Sequence, residues 1–151
     1  MSNLEPLTKY EVQKLVDEFY AKLDAHASIE EYIHLFAFDE EDLIIQFPSI
    51  TLTSWEQFKP WYEGTLNQFF DEIHAAEKIE FTANSTEQAD IKAIVHWEAS
   101  TWKPPAAHSQ RIVASVEQSW VVTRSPQTQK PVFKEYIVRK LNYLGSSASL
   151  K

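Results

Sequence analysis

The 151-residue chain contains no cysteine. Disulfides, thiolate zinc sites, iron–sulfur clusters and a cysteine nucleophile are thereby excluded. Glycine is scarce, with two residues. A P-loop, a dinucleotide fingerprint and a kinase glycine loop all need more. No apolar run approaches the ~18 residues of a membrane-spanning helix. Met1-Ser2-Asn3-Leu4-Glu5-Pro6 carries neither a basic flank nor an apolar stretch, so no signal peptide is expected. Basic residues are the minority, 14 Lys and Arg against 22 Asp and Glu, for a net charge of −8. An acidic chain without a basic block is a poor ligand for nucleic acid or anionic lipid. The expectation is a cytoplasmic protein with neither partner.

Histidine does not supply a metal site either. His26, His34, His74, His96 and His108 include no pair three or four apart and no H-x-H. A zinc site or facial triad would have to be assembled from distant segments. No metal and no cofactor are expected. There is also no G-x-S-x-G elbow for a serine nucleophile.

What the chain does have is aromatic surface. Aromatics make up 13% of residues, with five Trp. Such side chains bury large rigid areas, either as core or as pocket wall. Apolar residues at 44% and charged residues at 24% are ordinary for a globular protein. The length corresponds to one domain of roughly 150 residues.

The pattern along the chain changes once. Residues 1–8 read as a flexible lead-in. Val12, Leu15, Val16, Phe19, Tyr20 and Leu23 make one apolar stripe of a helix. Ser28 to Glu31 is a capping box and predicts a second, short helix. Leu43–Phe47 reads as a strand stopped by Pro48. Ser54 opens a third helix with Trp55, Phe58, Trp61, Tyr62, Leu66, Phe69, Phe70 and Ile73 on its apolar positions. Pro60 is awkward inside it, since an interior proline removes a hydrogen bond. Strands are predicted at 77–84, 90–102, 111–123 and 131–143, joined as an antiparallel meander. Residues 145–151 read as a flexible tail, leaving one domain over 9–144. Helices gathered before strands argue for an α+β fold.

This order resembles the NTF2-like superfamily, and within it the SnoaL-like or ketosteroid-isomerase-like group. The resemblance rests on Phe19-Tyr20, on Ile45-Gln46-Phe47-Pro48 followed by Ser54-Trp55-Glu56-Gln57-Phe58, and on Phe69-Phe70-Asp71-Glu72-Ile73-His74. His96-Trp97-Glu98-Ala99, Glu117 to Arg124 and Tyr136-Ile137-Val138 extend it over about residues 8–144. It implies a cone of three N-terminal helices packed in a strongly curved antiparallel sheet, with a mostly apolar pocket at the mouth. It also implies a homodimer through the outer sheet face. The apolar residues Ile94, Trp102, Val113 and Val121 on that face fit such a contact.

Strand alternation divides the side chains into two faces. It places Trp97, Gln118 and Trp120 inward, and His96, Glu98 and Glu117 outward. For 131–143 it does not decide. Proton abstraction beside a carbonyl needs a base and donors aimed at the developing oxyanion. The resemblance implies a carboxylate base just before the proline after the first strand, where this chain has Phe47. It implies a second carboxylic acid inward on the penultimate strand, where the match is Gln118, or Glu117 if the register slips by one. It gives Tyr20 the place of a phenolic donor. His74, with an ordinary pKa near ~6.5, is the best single acid–base candidate; its structural alternative is a helix-end histidine bonding a carbonyl.

Two functions stay open. One is a cone that binds a small, largely apolar molecule and converts it by dehydration, isomerisation or cyclisation. His74, Tyr20 and Glu117 are then the catalytic candidates, and Phe47, Trp61, Phe70, Trp97, Gln118 and Trp120 the ligand-binding ones. The other is a non-catalytic module that dimerises or binds a protein.

Overall fold

A computed structural model describes residues 6–83 and 88–149. The first five residues of the expected lead-in, part of the 84–89 connection and the end of the expected tail lie outside that range. The elements are α1 (Lys9–Asp24), a single 3₁₀ turn (Ile29–Tyr32), β1 (Ile44–Phe47), β2 (Ile50–Leu52), α2 (Trp55–Gln68), β3 (Phe70–Ala83), β4 (Gln88–Thr101), β5 (Gln110–Arg124) and β6 (Pro131–Tyr143). The six strands form one curved sheet in the order β2-β1-β6-β5-β4-β3. This is the expected α+β cone, with corrections of detail.

The predicted second helix is one 3₁₀ turn, whose Glu31 carboxylate accepts from the Ser28 N–H at 3.2 Å. The sheet is mixed, because β1 runs parallel to β6, pairing Ile45 with Tyr136. Between β1 and β2, Pro48-Ser49 makes a tight connection that sequence reading missed. α2 passes through Pro60 and ends at Gln68. Phe69 is its C-cap in extended backbone, and β3 begins at once, well before the predicted residue 77.

α1 starts with a capping box, Thr8 accepting from the Glu11 N–H. Its inner stripe, Val12, Leu15, Val16, Phe19 and Tyr20, is entirely buried. Each such side chain contributes roughly 1.5–3 kcal/mol over its exposed state. Packing begins before the helix, since Leu7 is buried too. Arg124 also ties down the lead-in, donating to Glu11 at 2.7 and 2.9 Å and to the Pro6 carbonyl at 3.0 Å. The expected tail is likewise anchored. Ala148 N–H donates to the Arg111 carbonyl at 3.0 Å, and Ser147 Oγ accepts from Val113 N–H at 2.7 Å.

β4 and β5 pair without interruption from Gln88–Thr123 to Thr101–Gln110. β3 and β6 each carry two register shifts. At the first shift in β3, Phe70 pairs with Ser100 and Ile73 with Glu98, so β3 holds one extra residue. Asp71 sits there at φ +51°. A bulge of this kind inserts a residue and re-aims those beyond it. Phe69 therefore faces in, Phe70 faces out, and Glu72 and His74 both face in. In β6, Gln118 pairs with Val138 while Glu117 pairs with Lys140, and Val122 pairs with Phe133 while Val121 pairs with Glu135. Those two bulges put Phe133, Tyr136, Val138 and Leu141 on the same inner face.

Among the described residues no helix is long and apolar enough to cross a membrane.

Candidate active site

The interior of the cone is filled in one part and hollow in another. The filled part is a stack of rings around Phe19, which meets Tyr32, Phe36, Phe133 and Tyr136 edge-on at 5.1–6.1 Å between centroids. The hollow has a volume of about 360 Å³. Its apolar wall includes Phe47, Trp61, Phe69, Trp97, Val116 and Val138. Polar groups reach it from Glu72, His74, Gln118, Tyr136, Thr65 and Gln68. An apolar wall with a few placed polar groups is the usual form of a small-molecule pocket.

His74 is central. It lies on β3 rather than at a helix end, opposite Trp97 on β4. Its Nδ1 is 2.7 Å from Asp24 Oδ1, and its backbone N–H donates to Asp24 Oδ2 at 3.1 Å. A carboxylate oxygen only accepts, so Nδ1 carries the proton; in the neutral ring the lone pair is then on Nε2. The ring stacks on Tyr20 at 4.9 Å, which fixes its plane. Asp24 is the last residue of α1. A carboxylate at that end opposes the helix dipole, and here it has a specific partner across the cone. Sequence reading missed Asp24, although an acid at a helix C-terminus was a signal.

Next to this pair is a second one with the roles reversed. Glu72 lines the cavity and accepts from His26 Nε2 at 3.2 Å and Trp97 Nε1 at 3.3 Å. His26 follows α1 and holds φ +53°. Its N–H donates to the Leu23 carbonyl and that of Ala27 to the Lys22 carbonyl, the Schellman pattern in which this position is usually glycine.

The third group is a buried hydroxyl pair. Tyr20 and Tyr136 share a 2.7 Å hydrogen bond. Burial pushes both pKa values well up, so both hydroxyls stay protonated. The Gln118 amide oxygen accepts from Trp120 Nε1 at 2.8 Å, and Gln118 and Tyr136 both line the hollow.

Several expected residues take other places. Glu117 is exposed on the outer face, where its carboxylate accepts from Asn142 Nδ2 at 3.0 Å. The slip of register that would have turned it inward does not occur, because β4 and β5 pair continuously through it. Phe70 is 41% exposed and points outward, and its neighbour Phe69 lines the cavity instead. Trp120 is fully buried behind the wall, stacked on Tyr136 at 5.8 Å, and supports the wall without lining it. Tyr20 stands behind His74 and Tyr136 in the same way. Phe47, Trp61, Trp97 and Gln118 do line the cavity. Phe47 stacks on Trp61 at 4.4 Å where the resemblance implied a carboxylate. His96 and Glu98 pair at 2.8 Å outside the cone. Among the described residues no group of three or more His, Asp or Glu is placed to hold a metal ion.

No protein-family model and no curated protein matches the chain by sequence. Solved structures do match it by shape. A scytalone dehydratase-like protein from Novosphingobium aromaticivorans superposes with a TM-score of 0.75 at 17% identity, over 94% of this chain and 88% of that one. A hexachlorocyclohexane dehydrochlorinase, LinA type 2, superposes with a TM-score of 0.72 at 12% identity, over 95% and 93%. A nuclear transport factor 2-like superfamily protein from Salmonella enterica serovar Typhimurium gives a TM-score of 0.73 at 13% identity, over 94% and 96%. These likenesses, with the cone and its aromatic-rich hollow, establish that the chain has the NTF2-like fold.

Proposed function

We propose that the protein is an enzyme in which His74 removes a proton from carbon on a small, largely apolar molecule held in the cone. The observation that carries this reading is the Asp24–His74 pair, with its imidazole on the cavity wall. Asp24 holds the ring, fixes the proton on Nδ1 and offers charge to the imidazolium that forms as Nε2 takes a proton. This is the logic of a base oriented by a third group. The Tyr136 hydroxyl and Gln118 amide supply polarity where an oxygen of the substrate would gather charge. The ring walls supply the apolar surface against which such a molecule would pack.

The reaction class is elimination or isomerisation. Two of the structural neighbours carry names for eliminations, a dehydration and a dehydrochlorination, which supports the same class here. The non-catalytic alternative is disfavoured by the oriented histidine, which a packing role does not require. The partners of this reading are a small apolar molecule and a second copy of the chain across the outer sheet face, where Trp102 and Ile73 are exposed.

The test is exchange of carbon-bound hydrogen for deuterium in heavy water. Wild-type protein is incubated with a panel of cyclic ketones and hydroxylated rings, read by mass spectrometry. The reading expects enzyme-dependent exchange in at least one member, lost in His74→Gln. Exchange that survives in a folded His74→Gln protein removes His74 as the base.

A further inference from the structure

The cavity has two acidic neighbours, Asp24 and Glu72, and no lysine or arginine among its lining residues. Only one of the two carboxylates reaches the hollow. Asp24 stands behind His74, whereas Glu72 stands in front of His26. The two pairs are crossed. α1 and the residue after its cap give an acid and a histidine at 24 and 26, and β3 gives an acid and a histidine at 72 and 74. The first pair presents an imidazole to the ligand and the second presents a carboxylate.

Both members of the second pair sit beside backbone in the left-handed region. Asp71, at φ +51°, turns Glu72 inward, and His26 itself is at φ +53°. Such positions cost free energy for any residue but glycine. Here each places one half of the pair. Glu72 is also held from two sides. Its Oε1 accepts from the Trp97 indole, which can only donate, and its Oε2 accepts from His26. Its side chain is 10% exposed. Each carboxylate oxygen still has room for a further hydrogen bond, since the group accepts about four in all. Glu72 is one of the residues that line the hollow.

We infer that Glu72 is the specificity-determining residue of this cavity: it accepts a hydrogen bond from a hydroxyl or ammonium group of a flat ligand, and turns away carboxylates and phosphates. Holding that donor end at Glu72 sets the ligand's apolar body between the Trp97–Phe69 wall and the Phe47–Trp61 stack. It also sets the register of the ligand against His74, two residues along the same strand face. An anionic ligand would lie against a carboxylate with no cationic side chain from Lys or Arg to offset it, and burying like charges together is costly. This inference rests on the cavity being a small-molecule site, as proposed above.

The test uses three probes with one ring body, namely 2-naphthol, 2-naphthoate and 2-naphthylmethylammonium. Their affinities are measured by calorimetry at neutral pH on the wild-type chain and on Glu72→Gln, with melting curves confirming that both are folded. Wild type is expected to bind the alcohol and the ammonium at least about tenfold more tightly than the carboxylate. Glu72→Gln is expected to abolish the preference for ammonium over carboxylate, because glutamine keeps the size and removes the charge. Carboxylate binding as tight as that of the alcohol in wild type overturns the inference and leaves the cavity reading standing. So does a preference unchanged in Glu72→Gln. If the wild type binds none of the three, the small-molecule reading fails and takes the inference with it. Should Glu72→Gln not fold, Glu72→Ala is measured in its place, and a preference for ammonium over carboxylate unchanged in that variant overturns the inference in the same way.

Discussion

Replacing Asp71 by valine should destabilise the fold through its backbone alone. Asp71 is exposed and holds φ +51° at the bulge that turns Glu72 and His74 into the cone. The left-handed region costs an L-residue roughly 1–2 kcal/mol, and aspartate is among the few non-glycine residues that visit it routinely. A β-branched side chain is a true outlier there. The Val variant should therefore lose about 1–2 kcal/mol relative to Asp. For a domain of this size each kcal/mol corresponds to ~2–4 °C, so Tm should fall by about 2–8 °C. Asp71→Gly, which relieves the backbone, should melt within about 2 °C of wild type or above it. Differential scanning calorimetry of the three proteins decides. A Val variant that melts with wild type refutes the reasoning, and so does a Gly variant as unstable as Val, which would point to a side-chain role for Asp71.

Three further outcomes follow from particular contacts. Gln118→Leu leaves the buried Trp120 indole N–H without an acceptor, so urea unfolding should show a loss of about 1–3 kcal/mol. Glu11→Gln breaks the fork to Arg124, which is 7% exposed; the cost should be about 1 kcal/mol once the partial exposure of the carboxylate is allowed for. The Arg124 guanidinium holds the Glu11 carboxyl below its ordinary 4.5. Its stabilisation is thus present above that value and lost as pH falls through the lower, folded one, so the Gln variant should show a flatter acid limb in a pH series of melting curves. Asp24→Asn removes the charge facing the forming imidazolium. At about 4 Å and an effective dielectric near 20 that interaction is ~4 kcal/mol. Asp24 is 30% exposed, and screening reduces the figure to roughly 2 kcal/mol. The rate of deuterium exchange should drop by about 30-fold.

The sequence made some of this architecture legible, and the bulges account for much of what it hid. β4 and β5 alternate without a break, and there simple alternation assigned Trp97, Gln118 and Trp120 to the inner face, where they are found. The α1 stripe read correctly because helical periodicity tolerates no extra residue. β3 and β6 carry two bulges each. Counting by twos from Phe69 would put both Glu72 and His74 outside. Phe133, Tyr136, Val138 and Leu141, spaced by three, two and three, match neither a strand nor a helix. The aromatic run through Phe69-Phe70 makes the start of β3 look like the end of α2, which is why the pattern points to Phe70 as pocket wall and places His74 near a helix end. Asp24 and His26 are hidden for another reason, apart from the hint of an acid at the end of α1. They meet their partners 50 and 46 residues away, and no local spacing encodes a pair closed by the curvature of a sheet.

Asp24 fixes the proton of His74 on Nδ1, and the proposed chemistry needs Nε2 as the free base. Nitrogen NMR of the ¹⁵N-labelled protein, with the His74 ring neutral, reads this directly. Wild type should give an Nδ1 signal in the protonated, pyrrole-like range and an Nε2 signal in the lone-pair, pyridine-like range, with the assignment lost or mixed in Asp24→Asn. A proton found on Nε2 of wild-type His74 would contradict it.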